Sequence, residues 1–257
     1  MYVAPMTDAP NAAMTDDELL AAACPIIYTT GSSFYFTPTT LARGAELGLD
    51  QFGFYALGRG GVLGDVEPAV VSSAFGYFNP SLVAALWNAN RAKVSPRVAG
   101  SAFMQCCGEH GRLKLSGIAD LDQFVAAGEK ILAATDGDAF SLFAATAAEP
   151  VADDAPAHAM QLLTILREYR GCAHLVAIRA VGLDSKTAHF VTRPNDGAMF
   201  GWAPEDVPVV DDSVREKMGR VEALTDDMVR PAYAVLDAAE REVFVRVLRE
   251  IGAALAA

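Results

Sequence analysis

Leu166-Arg167-Glu168-Tyr169-Arg170-Gly171-Cys172-Ala173-His174 is the stretch that sets the class of fold. A charged helix end reads as stopping at Gly171, and an almost wholly apolar run follows from Cys172 to Val181. A helix that is apolar all round is normally buried, so the other helices are expected to pack around this one. His174 falls in its first turn, where the ring nitrogens must find partners. Its roles stay open: general acid or base, ligand contact, metal or haem ligand, or a core histidine that orients two helices.

Helical spacing runs outward in both directions. Thr15 followed by Glu18 is a capping box opening a helix over 15–28. Pro38 and Thr39 open a second over 38–48, and a short one follows over 50–58. The glycines of Arg59-Gly60-Gly61-Val62-Leu63-Gly64 read as a loop. They are spaced unlike a phosphate-binding loop, and no Lys-Ser/Thr pair follows them. Residues 67–75 read as helix, and Asn79-Pro80 caps another over 81–93. Residues 102–107, Gly108-Glu109-His110-Gly111 and 112–115 read as a small β-hairpin. Helices resume over 120–134, 138–148 and 155–170. Past Gly182, Asp184 caps a short helix over 185–191, and a loop over 193–212 holds Gly201-Trp202. Two helices close the chain: 213–235 with a bend at Pro231, and 238–254 opened by Asp237 and Glu240. No internal repeat is present.

Composition narrows the function. The 257 residues are 52% apolar, enough to bury a real core. Acidic residues outnumber basic ones 32 to 20, for a formal net charge of -12. Binding to polyanions gains affinity by neutralising phosphates with Lys and Arg, so DNA, RNA and anionic membranes are disfavoured partners. No stretch reaches the roughly 18 apolar residues of a membrane helix. Residues 1–14 read as a flexible leader without the basic and apolar regions of a secretory signal. Cys24, Cys106, Cys107 and Cys172 are scattered unlike a disulfide scaffold or a zinc site. Reduced thiols and a cytoplasmic location follow as expectations.

Candidate chemistry gathers in few places. His110, His158, His174 and His189 lie far apart, so no metal site is expected. No cofactor is expected either; single-ligand haem binding through His174 is open in principle, but nothing in the sequence requires it. No G-x-S-x-G elbow occurs. A Cys–His pair joining Cys106 or Cys107 to His110 is a weaker alternative to packed thiols. The N-terminal half is rich in aromatics, and Tyr28, Tyr35, Tyr55 and Tyr77 would supply polar tips on an apolar wall, either as a small-molecule pocket or as ordinary core. Arg59 beside them would bind a ligand acid or cap a helix end. Arg167 and Arg170 flank His174, and Glu168, Tyr28 and Arg59 are its candidate polar partners.

Several stretches, in order along the chain, carry a family resemblance. They are Tyr35-Phe36-Thr37-Pro38, Phe54-Tyr55-Ala56-Leu57-Gly58-Arg59-Gly60-Gly61-Val62-Leu63-Gly64, Phe75-Gly76-Tyr77-Phe78-Asn79-Pro80, the Leu166–His174 segment and Val221-Glu222-Ala223-Leu224-Thr225-Asp226. Through them the chain resembles an actinobacterial family of helix-turn-helix or MarR-like, winged-helix-derived proteins. The resemblance implies architecture better than activity. It implies a helical portion over 15–150 and a degenerate winged-helix-like portion over 151–257. The chain departs from the family pattern at Tyr28 and Gly31, where a Glu and a His are usual, and at Cys172 and Ala173. Residues 203–212 hold Glu205, Asp206, Asp211 and Asp212, a charge unfit for a wing that touches phosphates.

The expected fold is therefore mainly α with one small β-hairpin near 102–115. Three functions stay open. One is a small-molecule binding protein, for an aromatic or apolar ligand, on a helix-turn-helix-derived scaffold that has lost DNA-binding charge. Its ligand-binding residues would be Tyr28, Tyr35, Tyr55, Arg59, Tyr77, Arg167, Arg170 and His174. The second is an enzyme of secondary metabolism using His174 or a tyrosine as acid or base. The third is a MarR-like transcription regulator, for which Lys186, Arg193 and Arg215 are the obvious DNA-facing donors. The apolar stripe of the last helix (Val243, Phe244, Val247, Leu248, Ile251) serves a homodimer or a core face equally well.

Overall fold

The structure, a computed structural model, describes residues 13–257. The leader expected over 1–14 lies almost wholly outside the described residues. Twelve α-helices follow: α1 (Asp16–Thr30), α2 (Pro38–Glu46), α3 (Gln51–Gly61), α4 (Pro68–Phe75), α5 (Pro80–Arg91), α6 (Pro96–Leu115), α7 (Leu121–Ala133), α8 (Ser141–Ala147), α9 (Ala155–Ala180), α10 (Ser185–Thr192), α11 (Asp212–Tyr233) and α12 (Ala238–Ala256). Two 3₁₀ turns, Gly197–Phe200 and Pro204–Asp206, lie between α10 and α11. No strand occurs among the described residues, and no helix there is long and apolar enough to cross a membrane.

Local chemistry starts these helices where the sequence places the caps. Thr15 and Glu18 close a reciprocal capping box on α1, and Asp237 and Glu240 do the same on α12. Asn79 caps α5 with Pro80 in its first turn, and Asp184 caps α10.

Three expectations are corrected. The expected hairpin near 102–115 lies inside α6, a helix of 20 residues that Ser95 caps and Pro96 opens. Its glycines are contact points rather than turn residues: Gly100 meets the backbone of Gly61, and Gly111 meets the carbonyl of Pro156. The helix end expected at Gly171 is likewise absent. α9 runs unbroken through Gly171 to Ala180, so His174 sits deep within a 26-residue helix. The loop expected over 59–64 also shortens, since Arg59, Gly60 and Gly61 complete α3.

α9 is the spine of the molecule. From Ala157 to Leu166 nearly every side chain is buried, and the helix packs against α1, α6, α7, α8 and α11. The main core also takes in the apolar stripe of α12, where Phe244, Val247, Leu248 and Ile251 are buried and face α1 and α7. A smaller core gathers Ala177, Ile178, Val181, Leu183, Ala188, Met218 and Val221 from the end of α9, α10 and the start of α11. There α9 turns directly into α10, and α11 closes over both.

Candidate functional site

The site is built along α9, where Arg167, Arg170 and His174 share one face and Glu168 points to the side of it, towards α3. Glu168 is 3% exposed and anchors the inner half. Arg59 of α3 grips it with two bonds, Nε to Oε1 at 2.9 Å and Nη2 to Oε2 at 2.8 Å. Arg167 Nη1 donates to Oε1 at 3.1 Å, and the Tyr35 hydroxyl donates to the same oxygen at 3.2 Å. Burial alone would raise the Glu168 carboxyl, but the two guanidiniums outweigh it and lower it to about 2. Arg59 also donates from Nη1 to the Tyr55 hydroxyl, one helical turn earlier on α3, at 3.2 Å, and its guanidinium lies 4.5 Å from the Phe75 ring centre. Its three nitrogens are thus engaged inside the protein.

Arg167 links this cluster to α1. Its Nε donates to the Tyr28 carbonyl at 3.2 Å, and its guanidinium lies 5.5 Å from the Tyr28 ring centre. Tyr28 is 51% exposed. Arg193, at the end of α10, donates to the Tyr28 hydroxyl at 3.2 Å.

The outer half is a relay. The Tyr77 hydroxyl lies 2.7 Å from His174 Nδ1, and His174 Nε2 lies 3.0 Å from Glu222 Oε1 on α11. Arg170 bonds both Glu222, at 3.2 Å, and Asp226, at 2.5 Å. The His174 bond holds the Glu222 carboxyl below its ordinary range. Burial pushes the Tyr77 phenol up, and Tyr28 and Glu222 add to this, while Arg59 and Arg167 pull it down.

Tyr77 reaches His174 from an unusual backbone. Its φ is +54°, a left-handed conformation that a bulky residue rarely adopts. The turn is fixed on several sides. Trp202 Nε1 donates to the Tyr77 carbonyl at 2.7 Å, and a Cβ on Gly76, at φ +59°, would come within 2.4 Å of Leu175 on α9. Strain of this kind persists only where the surroundings over-determine it, and it clusters at functional sites.

The eight residues singled out in the sequence fall into two hydrogen-bonded groups: Tyr28, Tyr35, Tyr55, Arg59 and Arg167 around Glu168, and Tyr77, Arg170 and His174 around Glu222. Glu168 pairs with Arg59 and Arg167, and the acid beside His174 is Glu222. Glu222 and Asp226 carried no role in the sequence reading, yet a signal existed. Arg170 and His174 lie four residues apart on one helix, and Glu222 and Asp226 lie four apart on another. The aromatic residues divide. Phe34, Phe54, Phe75 and Trp87 are core, whereas Phe36 and Phe52 join Tyr28 at the surface. The cavity beside Glu168 measures about 10 Å³, roughly the room of one water. A larger groove of about 230 Å³ lies elsewhere, between α6 and residues 150–152.

Cys24 lies beside Arg170 and Cys172 near Glu168, whereas Cys106 and Cys107 lie on α6, away from both groups. All four cysteines are buried and unpaired, and burial pushes Cys106 up to about 11 and Cys107 up to about 12. Such thiols stay protonated and unreactive at neutral pH. Among the described residues no group of three or more His, Cys, Asp or Glu is placed to hold a metal ion.

A family model described as a helix-turn-helix family matches residues 22–207, more than half of the chain. No curated protein and no solved structure matches it.

Proposed function

The chain belongs to the helix-turn-helix family, and from that premise we propose that it is a small-molecule binding protein whose ligand meets the open face around Tyr28, Tyr77 and His174. The observation that carries this reading is the strained Tyr77, held against a histidine that a carboxylate orients. A core histidine would need partners too, but not a tyrosine held in a left-handed turn to supply one. The exposed ring of Tyr28 offers apolar area on this face.

Family membership alone would favour DNA contact, and charge argues the other way. Of the three donors the sequence offers, Lys186 lies over the Trp202 ring, while Arg193 and Arg215 are exposed but belong to a chain of formal net charge -12. Two such groups on an acidic protein give little of the phosphate neutralisation on which DNA affinity rests.

One arrangement favours catalysis as a second reading. The Tyr77 hydroxyl, the two ring nitrogens of His174 and the Glu222 carboxylate form an unbroken hydrogen-bonded chain, with steps of 2.7 and 3.0 Å. A general acid–base site can be built on such a chain, with the histidine passing a proton between its two partners.

The test is to purify the full chain, denature it and analyse the released small molecules by mass spectrometry. The expected result is one compound at near-stoichiometric amount. Its affinity should fall about fivefold or more in Tyr77→Phe and His174→Ala, the loss of one hydrogen bond of ~1 kcal/mol. A chain that carries no compound and instead retards DNA at low salt would overturn the reading.

A further inference from the structure

Charge near Tyr28 runs against the rest of the molecule. The chain carries a formal net charge of -12, yet here Arg59, Arg167 and Arg193 face only Glu168 and Asp196. Glu168 is shared by Arg59 and Arg167. Asp196 reaches Arg193 only at 3.9 Å. Glu222 does not offset the excess, because Arg170 and His174 hold it on the far side of the relay.

The guanidinium of Arg167 is also not fully used. Its Nε and Nη1 bond Tyr28, Tyr35 and Glu168. Its Nη2 has no hydrogen-bond partner among the described residues, and the side chain is 19% exposed. Arg193 is 44% exposed and stands at the other end of Tyr28. The two guanidiniums therefore bracket one exposed aromatic ring.

We infer that the ligand is a small aromatic acid bound as its anion, with its oxyanion on Arg167 and Arg193 and its ring against Tyr28. The inference rests on the ligand-binding reading above and adds the charge and class of the ligand. Arginine suits this task, because its planar fork matches a carboxylate and its charge persists at any working pH. A ring beside Tyr28 adds stacking area that an aliphatic acid lacks. A carboxylate and a phenolate present the same chemistry here, and the probes separate them.

Isothermal titration calorimetry on the full chain tests this with 4-nitrobenzoate, 4-nitrophenolate and the neutral 4-nitrobenzamide. One or both anions should bind at least tenfold tighter than the amide, and the tighter anion identifies the oxyanion. Arg167→Gln should weaken that anion by roughly ten- to hundredfold, the range for a hydrogen bond to a charged group, while leaving the amide unchanged. Arg193→Gln, on an exposed side chain outside the buried pair, should act in the same direction should Arg167→Gln fail to fold. Equal binding of amide and anions, an anion affinity indifferent to both substitutions, or no binding of any probe would overturn the inference. Amide binding that depends on Tyr77 and His174 would sink the anion class and leave the ligand-binding reading standing. No probe binding together with no co-purified compound would remove both.

Discussion

Glu168→Ala is expected to destabilise the fold by roughly 3–5 kcal/mol, the range for removing one partner of a buried ion pair. The reason is what stays behind. Arg59 is almost as enclosed as Glu168, with side-chain exposures of 12% and 3%. Without the carboxylate its charge remains away from water, with only Tyr55 as a polar partner. Arg167, nearer the surface, loses less. Urea denaturation should show this as a lower midpoint with an unchanged slope. Replacing both partners, Glu168→Leu with Arg59→Met, should recover much of the loss, because the more enclosed of the two stranded charges is then removed with its partner. A single variant as stable as the parent would show that water reaches this pair freely.

The same residue sets an acid limit. Glu168 titrates near 4.5 in an unfolded chain and near 2 when folded. A carboxyl depressed in this way contributes stability that is fully present above about pH 4.5. That contribution is lost progressively as the pH falls towards 2. Glu168→Gln should therefore flatten the acid limb of the stability profile in that window, while leaving the pH dependence above it unchanged.

These effects centre on a residue that the sequence placed among the partners of His174, and the geometry shows why that pairing fails. Glu168 and His174 are six residues apart on one helix, so they point to different faces. Arg170 and His174 are four apart and share one face, and both find Glu222. Helix starts were legible because capping is local: Thr15, Asn79, Asp184 and Asp237 declare themselves within three residues. The pairing of α9 with α11 was not legible, because it depends on two helices separated by the 193–212 loop. The same holds for Gly108, Gly111 and Gly171. Local rules read a glycine as a turn or a helix stop, whereas here α6 and α9 run through them. What overrides the local preference is close packing between helices, which no single segment reveals.

That override is measurable at Gly61, the last residue of α3. A Cβ there would stand 2.0 Å from the Pro96 carbonyl oxygen and 3.0 Å from the Gly100 nitrogen, both backbone atoms of α6. Backbone in a helix cannot swing aside like a side chain, so Gly61→Ala must push α3 and α6 apart. The expected loss is about 3 kcal/mol, the upper part of the usual cost of overpacking. A Cβ on Gly111 would meet the Pro156 carbonyl oxygen at 2.2 Å, so Gly111→Ala should behave alike. Gly219 is the control. It lies within α11, exposed, and a Cβ there meets nothing within 4 Å. Gly219→Ala should therefore stabilise by about 0.5–1 kcal/mol, through helix propensity and a less flexible unfolded chain. The same substitution should thus carry opposite signs at two helical glycines, read from thermal or urea denaturation of each variant. If Gly61→Ala were also stabilising, α3 and α6 could not approach at Gly61 as described. The bidentate reach of Arg59, two residues earlier on α3, to Glu168 would then need another frame.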